Sequence, residues 1–152
     1  MTIPNHEIER VIREVIDRFL IPRHEELGMK ASGNWIESLE AVGRDNVGII
    51  RGLDYTEFLV RGRRHGGFPP RAVIEKWIAD KGIVPDDGIS TSALAFLISR
   101  KIATEGTDYY KQGGTTLLEI LEEPEVIEYI KKEIADILVL EVQTIFKRIL
   151  QK

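Results

Sequence analysis

The segment from residue 123 to residue 152 has an apolar pattern too wide for one face of a helix. Pro124 favours a helix start, because the N–H that proline lacks would have no partner in the first turn. The apolar residues that follow are Ile127, Ile130, Ile134, Ile137, Leu138, Val139, Leu140, Val142, Ile145, Phe146, Ile149 and Leu150. A helix at the edge of a monomer needs one apolar stripe, and these residues form nearly two. We therefore expect one stripe to pack on the helix's own domain and the other on a partner, with a fully buried central helix as the alternative.

The preceding residues, 1–122, predict an α+β domain. Apolar residues recur with the period of a helix over residues 3–27, which predicts an N-terminal helix that Pro22 kinks or ends. Over residues 31–60, three apolar runs alternate with short polar turns, as in a small antiparallel sheet of three or four strands. Gly28 is expected to stop the N-terminal helix if it resumes after Pro22. Two later apolar stripes, closed by Gly82 and Gly106, predict helices that pack on this sheet. The candidate N-caps of the second are Ser90, Thr91 and Ser92, and residues 107–116 after it are expected to form a loop.

A cationic, glycine-rich loop precedes a double proline at Pro69 and Pro70. Glycine permits positive φ and close backbone approach, and the prolines direct the chain into the next helix. The cationic residues are Arg61, Arg63, Arg64, His65 and Arg71. The acidic segment 119–128 carries the opposite charge, and its carboxylates include those of Glu122, Glu123 and Glu125. Three roles for the loop stay open: pairing with the acidic segment of a neighbouring copy, contact with DNA phosphates, or plain solvation.

The sequence lacks the residue patterns of common enzyme and cofactor sites. It has no cysteine, no glycine-rich phosphate loop, no zinc-protease motif and no nucleophile elbow. His24, beside Glu25 and Glu26, has no second histidine at ligand spacing, so we interpret it as part of a solvated helix face. Tyr109 and Tyr110 have rings that stack on bases, but anchoring of their loop to the core is the better interpretation. We therefore predict no enzymatic activity, no catalytic residue, no cofactor and no metal site.

The net charge and the hydropathy of the sequence limit the classes of partner that the protein is expected to bind. The formal net charge of −4 argues against a general nucleic-acid binder, although the charge is unevenly distributed along the chain. No apolar run approaches the roughly 18 residues of a membrane span. The N-terminal residues include acidic side chains and no long apolar region, unlike a signal peptide. We expect a protein made and kept in the cytoplasm, without a membrane partner.

An ordered set of motifs gives the chain a family resemblance. The motif residues are Tyr55, Phe58, Gly62, Arg63, Gly67, Pro69, Pro70, Ile74, Trp77, Ile78, Lys81, Gly82, Ile83, Ala95, Ile98, Arg100, Lys101, Ile102, Gly106 and Thr107. They cover about a third of the chain. The set resembles the minor tail, tail-completion or neck proteins of tailed bacteriophages. The version of the motifs in this chain, with W-I-x-x-K-G-I and R-K-I, resembles copies from crAss-like and related phages.

The resemblance implies a virion structural protein without enzymatic activity, synthesised in the host cytoplasm. It implies a homo-oligomeric ring of six or twelve copies at the head–tail junction, in contact with the portal or other neck and tail proteins, with DNA passing through the lumen. The expected subunit-interface or DNA-facing residues are the cationic loop, the three glutamates, Leu140 and Phe146. The alternative function is a small DNA-binding module outside the virion that uses the RGRRHGG loop.

Overall fold

The computed structural model describes residues 2–151 and has helices, a small sheet and a long C-terminal helix. The elements are α1 (Asn5–Val15), a π-helical turn (Ile16–Leu20), α2 (Ile21–Glu26), α3 (Asn34–Ser38), β1 (Glu40–Arg44), β2 (Val47–Arg51), α4 (Thr56–Arg61), α5 (Arg71–Asp80), α6 (Thr91–Glu105), α7 (Asp108–Lys111), a 3₁₀ turn (Glu119–Glu122) and α8 (Pro124–Leu150). The predicted α+β class is confirmed. The sheet of the described residues has two antiparallel strands, so the predicted three or four strands are not found.

The chain divides into two compact units. Unit 1 comprises Met1–Arg23, Leu39–Gly52 and Leu118–Lys152, and therefore joins α1, the β-hairpin and α8. Unit 2 comprises His24–Ser38 and Leu53–Leu117, and therefore holds the shorter helices and the cationic loop. The two units carry different candidate surfaces.

In unit 1, α1 packs against the hairpin formed by β1 and β2. The strands pair with Val42 opposite Ile49, and the turn residues Asp45 and Asn46 both have positive φ, as in the two-residue turns that suit hairpins. The helix lies so close to the sheet that a Cβ on Gly43 would sit 2.3 Å from the carbonyl oxygen of residue 5. Close approach of helix and hairpin therefore requires glycine at this position.

The first helical segment is continuous through Pro22 instead of breaking there. A π-helical turn over Ile16–Leu20 lies immediately before α2. Proline inside an α-helix removes one N–H and pushes its ring against the carbonyl four residues earlier. A wider turn at that point relieves the clash, and π turns occur as single insertions of this kind. Gly28, with φ of 67°, follows the end of α2 as the sequence predicts.

In unit 2, two segments predicted as strands are helical. Trp35 and Ile36 lie in α3, and the apolar run Phe58-Leu59-Val60 lies in α4. The indole Nε1 of Trp35 donates a hydrogen bond of 2.8 Å to Thr56 Oγ1, which ties α3 to the first turn of α4. Runs of two or three apolar residues carry no periodicity, so the sequence pattern cannot separate a short helix from a strand.

Two helices of unit 2, α6 and α7, begin at residues whose side chains cap them. Ser90 Oγ accepts a hydrogen bond of 3.1 Å from Ala93 N, which confirms Ser90 as the N-cap of α6. Gly106, with φ of 82°, ends the same helix. Residues 107–116, predicted as a loop, contain the one-turn helix α7, whose N-cap Thr107 accepts from Tyr110 N.

Candidate functional site

The cationic loop of unit 2 is held by backbone hydrogen bonds to the end of α6 and the start of α7. Arg63 N donates to Thr107 Oγ1 at 2.9 Å, and Thr107 N donates to Arg63 O at 2.9 Å. Gly66 N donates to Ala103 O at 2.9 Å. The loop is therefore an ordered part of unit 2, and its side chains project from a fixed backbone.

The loop borders an open cleft of about 830 Å³, which we call the cationic cleft. The side chains that line it are Glu57, Phe58, Arg61, Arg63, Arg64, His65 and Tyr110, with four glycines between them. Three guanidinium groups face one carboxylate in this cleft, so its formal charge is positive with His65 neutral. Arg71 lies apart from the cleft on α5, where its Nε is 3.6 Å from Glu75 Oε1.

Each arginine of the cleft has a different set of contacts. Arg61 is 3.5 Å from Glu57, one helical turn earlier on α4. The guanidinium carbon of Arg63 lies 6.0 Å from the centre of the Phe58 ring, and its Nη2 is 3.5 Å from Gly67 O. Arg64 is exposed and forms no ion pair within residues 2–151. The cleft therefore holds at least one cation with no anionic partner among the described residues.

The predicted acidic residues lie in unit 1, near the start of α8. Glu122, Glu123 and Glu125 are exposed, and none of them forms an ion pair with another described residue. Acidic groups before a helix N-terminus are favoured by the helix dipole, which gives them a local structural role as well. The loop and the acidic segment are thus exposed surfaces of opposite charge on different units.

One side of α8 packs on α1 through charged and aromatic contacts. Arg10 donates to Glu133 at 3.0 Å and to Glu14 at 2.9 Å. The Tyr129 hydroxyl donates to Glu14, and these hydrogen bonds hold the pKa of the Glu14 carboxyl below its ordinary value. Arg18 lies over the Tyr129 ring at 4.7 Å. These contacts involve the first half of α8.

The second half of α8 exposes a continuous row of apolar side chains. Its members recur every three or four positions, and they are Val139, Val142, Phe146 and Ile149, which we call the apolar stripe. Val139 is 54%, Phe146 60% and Ile149 62% exposed. Within the described residues the apolar stripe is therefore exposed, and α8 is not a fully buried central helix; the partner expected on this stripe stays a prediction.

Of the two residues predicted for this surface, only one lies on the apolar stripe. Phe146 follows Val142 by four positions and is on the stripe. Leu140 is 63% exposed but falls on the opposite side of the helix, in line with Thr144 and Arg148. Counting apolar residues along the segment does not make this distinction, whereas plotting their angular positions does.

His24 is a buried residue that the sequence interpretation missed. Its side chain was expected on a solvated helix face, but the residue is 2% exposed and its ring stacks on Trp35 at 4.6 Å. Its Nδ1 is buried without a hydrogen-bond partner among the described residues. A second, mainly apolar cavity of about 330 Å³ adjoins it, lined in part by Met29, Tyr55 and Trp77. Burial lowers the pKa of the His24 imidazole.

We expect unit 2 to lose stability when the pH falls below about 6.5, the ordinary pKa of histidine. Because the folded-state pKa of His24 is lowered, the unfolded chain binds this proton more readily, so acid favours unfolding. Both tryptophans, Trp35 and Trp77, lie in unit 2, so their fluorescence reports its unfolding in urea. The urea midpoint should fall between about pH 7.5 and 5.5. His24→Phe should reduce that fall, whereas the exposed control His65→Phe should leave it unchanged.

Comparison of the chain with models of protein families, with curated proteins and with solved structures gives no match. Within the described residues, no group of three or more histidine, aspartate or glutamate side chains is arranged to hold a metal ion. None of the helices in the same part of the chain is long and apolar enough to cross a membrane. The cationic cleft and the apolar stripe are therefore the two surfaces that indicate a function.

Proposed function

We propose that this protein is a structural protein that assembles with copies of itself. The observation that carries the proposal is the apolar stripe of α8, which is more than half exposed at Val139, Phe146 and Ile149. Because these side chains are a little over half exposed, burying each of them in an interface is favourable by about half of the 1.5–3 kcal/mol that a fully exposed side chain contributes. Exposed apolar surfaces of this kind mark protein contacts, and most soluble oligomers are assemblies of identical copies.

We further propose that the assembly is a closed ring in the neck or tail of a bacteriophage virion. The support is the resemblance to tail-completion and neck proteins carried by residues 55–107, which lie within unit 2. In this proposal six or twelve copies surround a lumen through which DNA passes, and the ring contacts the portal or other neck and tail proteins. A ring joins two different faces of each copy, so the apolar stripe meets a different surface of its neighbour.

Multi-angle light scattering over a range of concentrations and negative-stain imaging of the purified protein test this proposal. A closed ring gives one particle mass that is a whole multiple of 17.3 kDa and does not grow with concentration. Images should show particles with a central opening. A particle of 17.3 kDa at every concentration would contradict self-assembly, and a mass that rises without limit would contradict closure.

The alternative function predicted from the sequence is a DNA-binding module outside the virion. This function requires the cationic cleft but no assembly. A monomer that shifts DNA in a salt-dependent manner would favour that function over the ring. The two proposals therefore differ in particle mass, which is measured without any ligand.

A further inference from the structure

We propose that the cationic cleft is a binding site for single-stranded nucleic acid, in which arginines bind phosphates and aromatic rings stack on bases. The inference concerns unit 2 alone and does not require the ring.

The first support is preorganisation of the loop. Its backbone is fixed at Arg63 and at Gly66 by hydrogen bonds of 2.9 Å to Thr107 and Ala103. A loop that is ordered before binding loses less conformational entropy when a ligand arrives.

The second support is the supply of uncompensated positive charge. Arg64 has no anionic partner among the described residues, and Arg61 and Glu57 form an exposed pair that a phosphate competes with easily. Arginine donates two parallel N–H bonds to one phosphate, so adjacent arginines suit successive phosphates of a strand. Cβ atoms placed on Gly66 and Gly67 would meet nothing within 4 Å, so the backbone there is open to a strand.

The third support is the presence of aromatic side chains in the cleft, which favours nucleic acid over an acidic peptide as the ligand. Phe58 is 49% and Tyr110 40% exposed, and both rings line the same cleft as the arginines. A peptide rich in glutamate would use the arginines and leave the rings in water. A single strand uses both, since its unstacked bases place their faces on aromatic side chains. A duplex keeps its bases stacked inside and offers only phosphates.

Fluorescence anisotropy of a labelled oligothymidylate of about ten nucleotides, within the usual site size of small binding domains, tests the inference. Arg63→Gln with Arg64→Gln should weaken binding at least tenfold, and the slope of log affinity against log salt should decrease by about 1.4 for two lost phosphate contacts. The matched control is Arg44→Gln with Arg51→Gln, which removes the same charge from exposed positions on the hairpin of unit 1. This control should bind like the parent protein.

A third variant tests the aromatic part. Phe58→Leu keeps an apolar side chain but removes a stacking surface, so it should weaken the oligothymidylate severalfold while leaving the affinity for inorganic tripolyphosphate unchanged. The inference is overturned if the arginine variant and its control bind alike. It is overturned as well if a peptide of residues 119–128, or a DNA duplex, binds the cleft more tightly than the single strand. Particle mass, measured on the same samples, reports separately on the ring.

Discussion

Val142→Asp combined with Phe146→Asp is expected to convert the assembly into a particle of 17.3 kDa without unfolding it. Both residues belong to the apolar stripe, and neither is buried within its own chain. The variant therefore removes two apolar side chains from the interface and adds two charges there. Full burial of such a side chain contributes about 1.5–3 kcal/mol, and Val142 is 38% and Phe146 60% exposed. The two losses together therefore come to roughly 1.5–3 kcal/mol, and the dissociation constant should rise at least about tenfold. Multi-angle light scattering gives the particle mass, and circular dichroism checks that the helices persist.

The matched control is Leu140→Asp combined with Thr144→Asp on the opposite side of the same helix. It adds the same two charges to the same stretch of α8, and both positions are exposed. We expect it to keep the parent mass, because these residues are outside the apolar stripe. If both variants dissociate alike, charge on the helix and not the stripe controls assembly. If the first variant loses its helical signal, the second half of α8 belongs to a core and the proposed interface is wrong.

Local chemistry at helix ends was the part of the fold that the sequence predicted well. Ser90 caps α6, Pro124 begins α8 and glycines follow the ends of α2 and α6, because each depends only on residues within a turn. The sheet was overpredicted, since the runs around Trp35 and Phe58 are too short to show a period. Their helical state follows from contacts such as that between Trp35 and Thr56.

The candidate site shows a similar division between local and distant information. The sequence predicts an arginine-rich loop, but the cleft exists because Thr107 binds the loop backbone from 44 residues away. The position of Tyr110 in the cleft likewise depends on this long-range pairing. His24 was misplaced for the same reason, because its burial comes from stacking on Trp35 and not from its own helix pattern. The separation of two residues along the sequence does not show whether they are in contact in the folded protein.

Gly62→Ala is expected to destabilise unit 2 by about 2–6 kcal/mol, because two separate penalties add. Gly62 has φ of 76° and ψ of 176°, a backbone conformation that is nearly restricted to glycine. An added Cβ would also lie 2.1 Å from Tyr110 N, and backbone atoms yield less readily than side chains. Relief requires moving α4 away from α7, which breaks the bonds between Arg63 and Thr107. Tryptophan fluorescence during urea unfolding measures the effect.

Substitutions at two neighbouring glycines separate the cost of backbone strain from the cost of steric overlap. Gly66→Ala has the positive φ of 138° but open space around the added Cβ, so it should show the strain without the overlap. Gly67→Ala has neither penalty and should change the free energy of unfolding by no more than about 0.5 kcal/mol. The order of stability loss should therefore be Gly62, then Gly66, then Gly67. Equal effects at all three positions would mean that the loop is not anchored against α7, and the preorganised cleft would lose its physical basis.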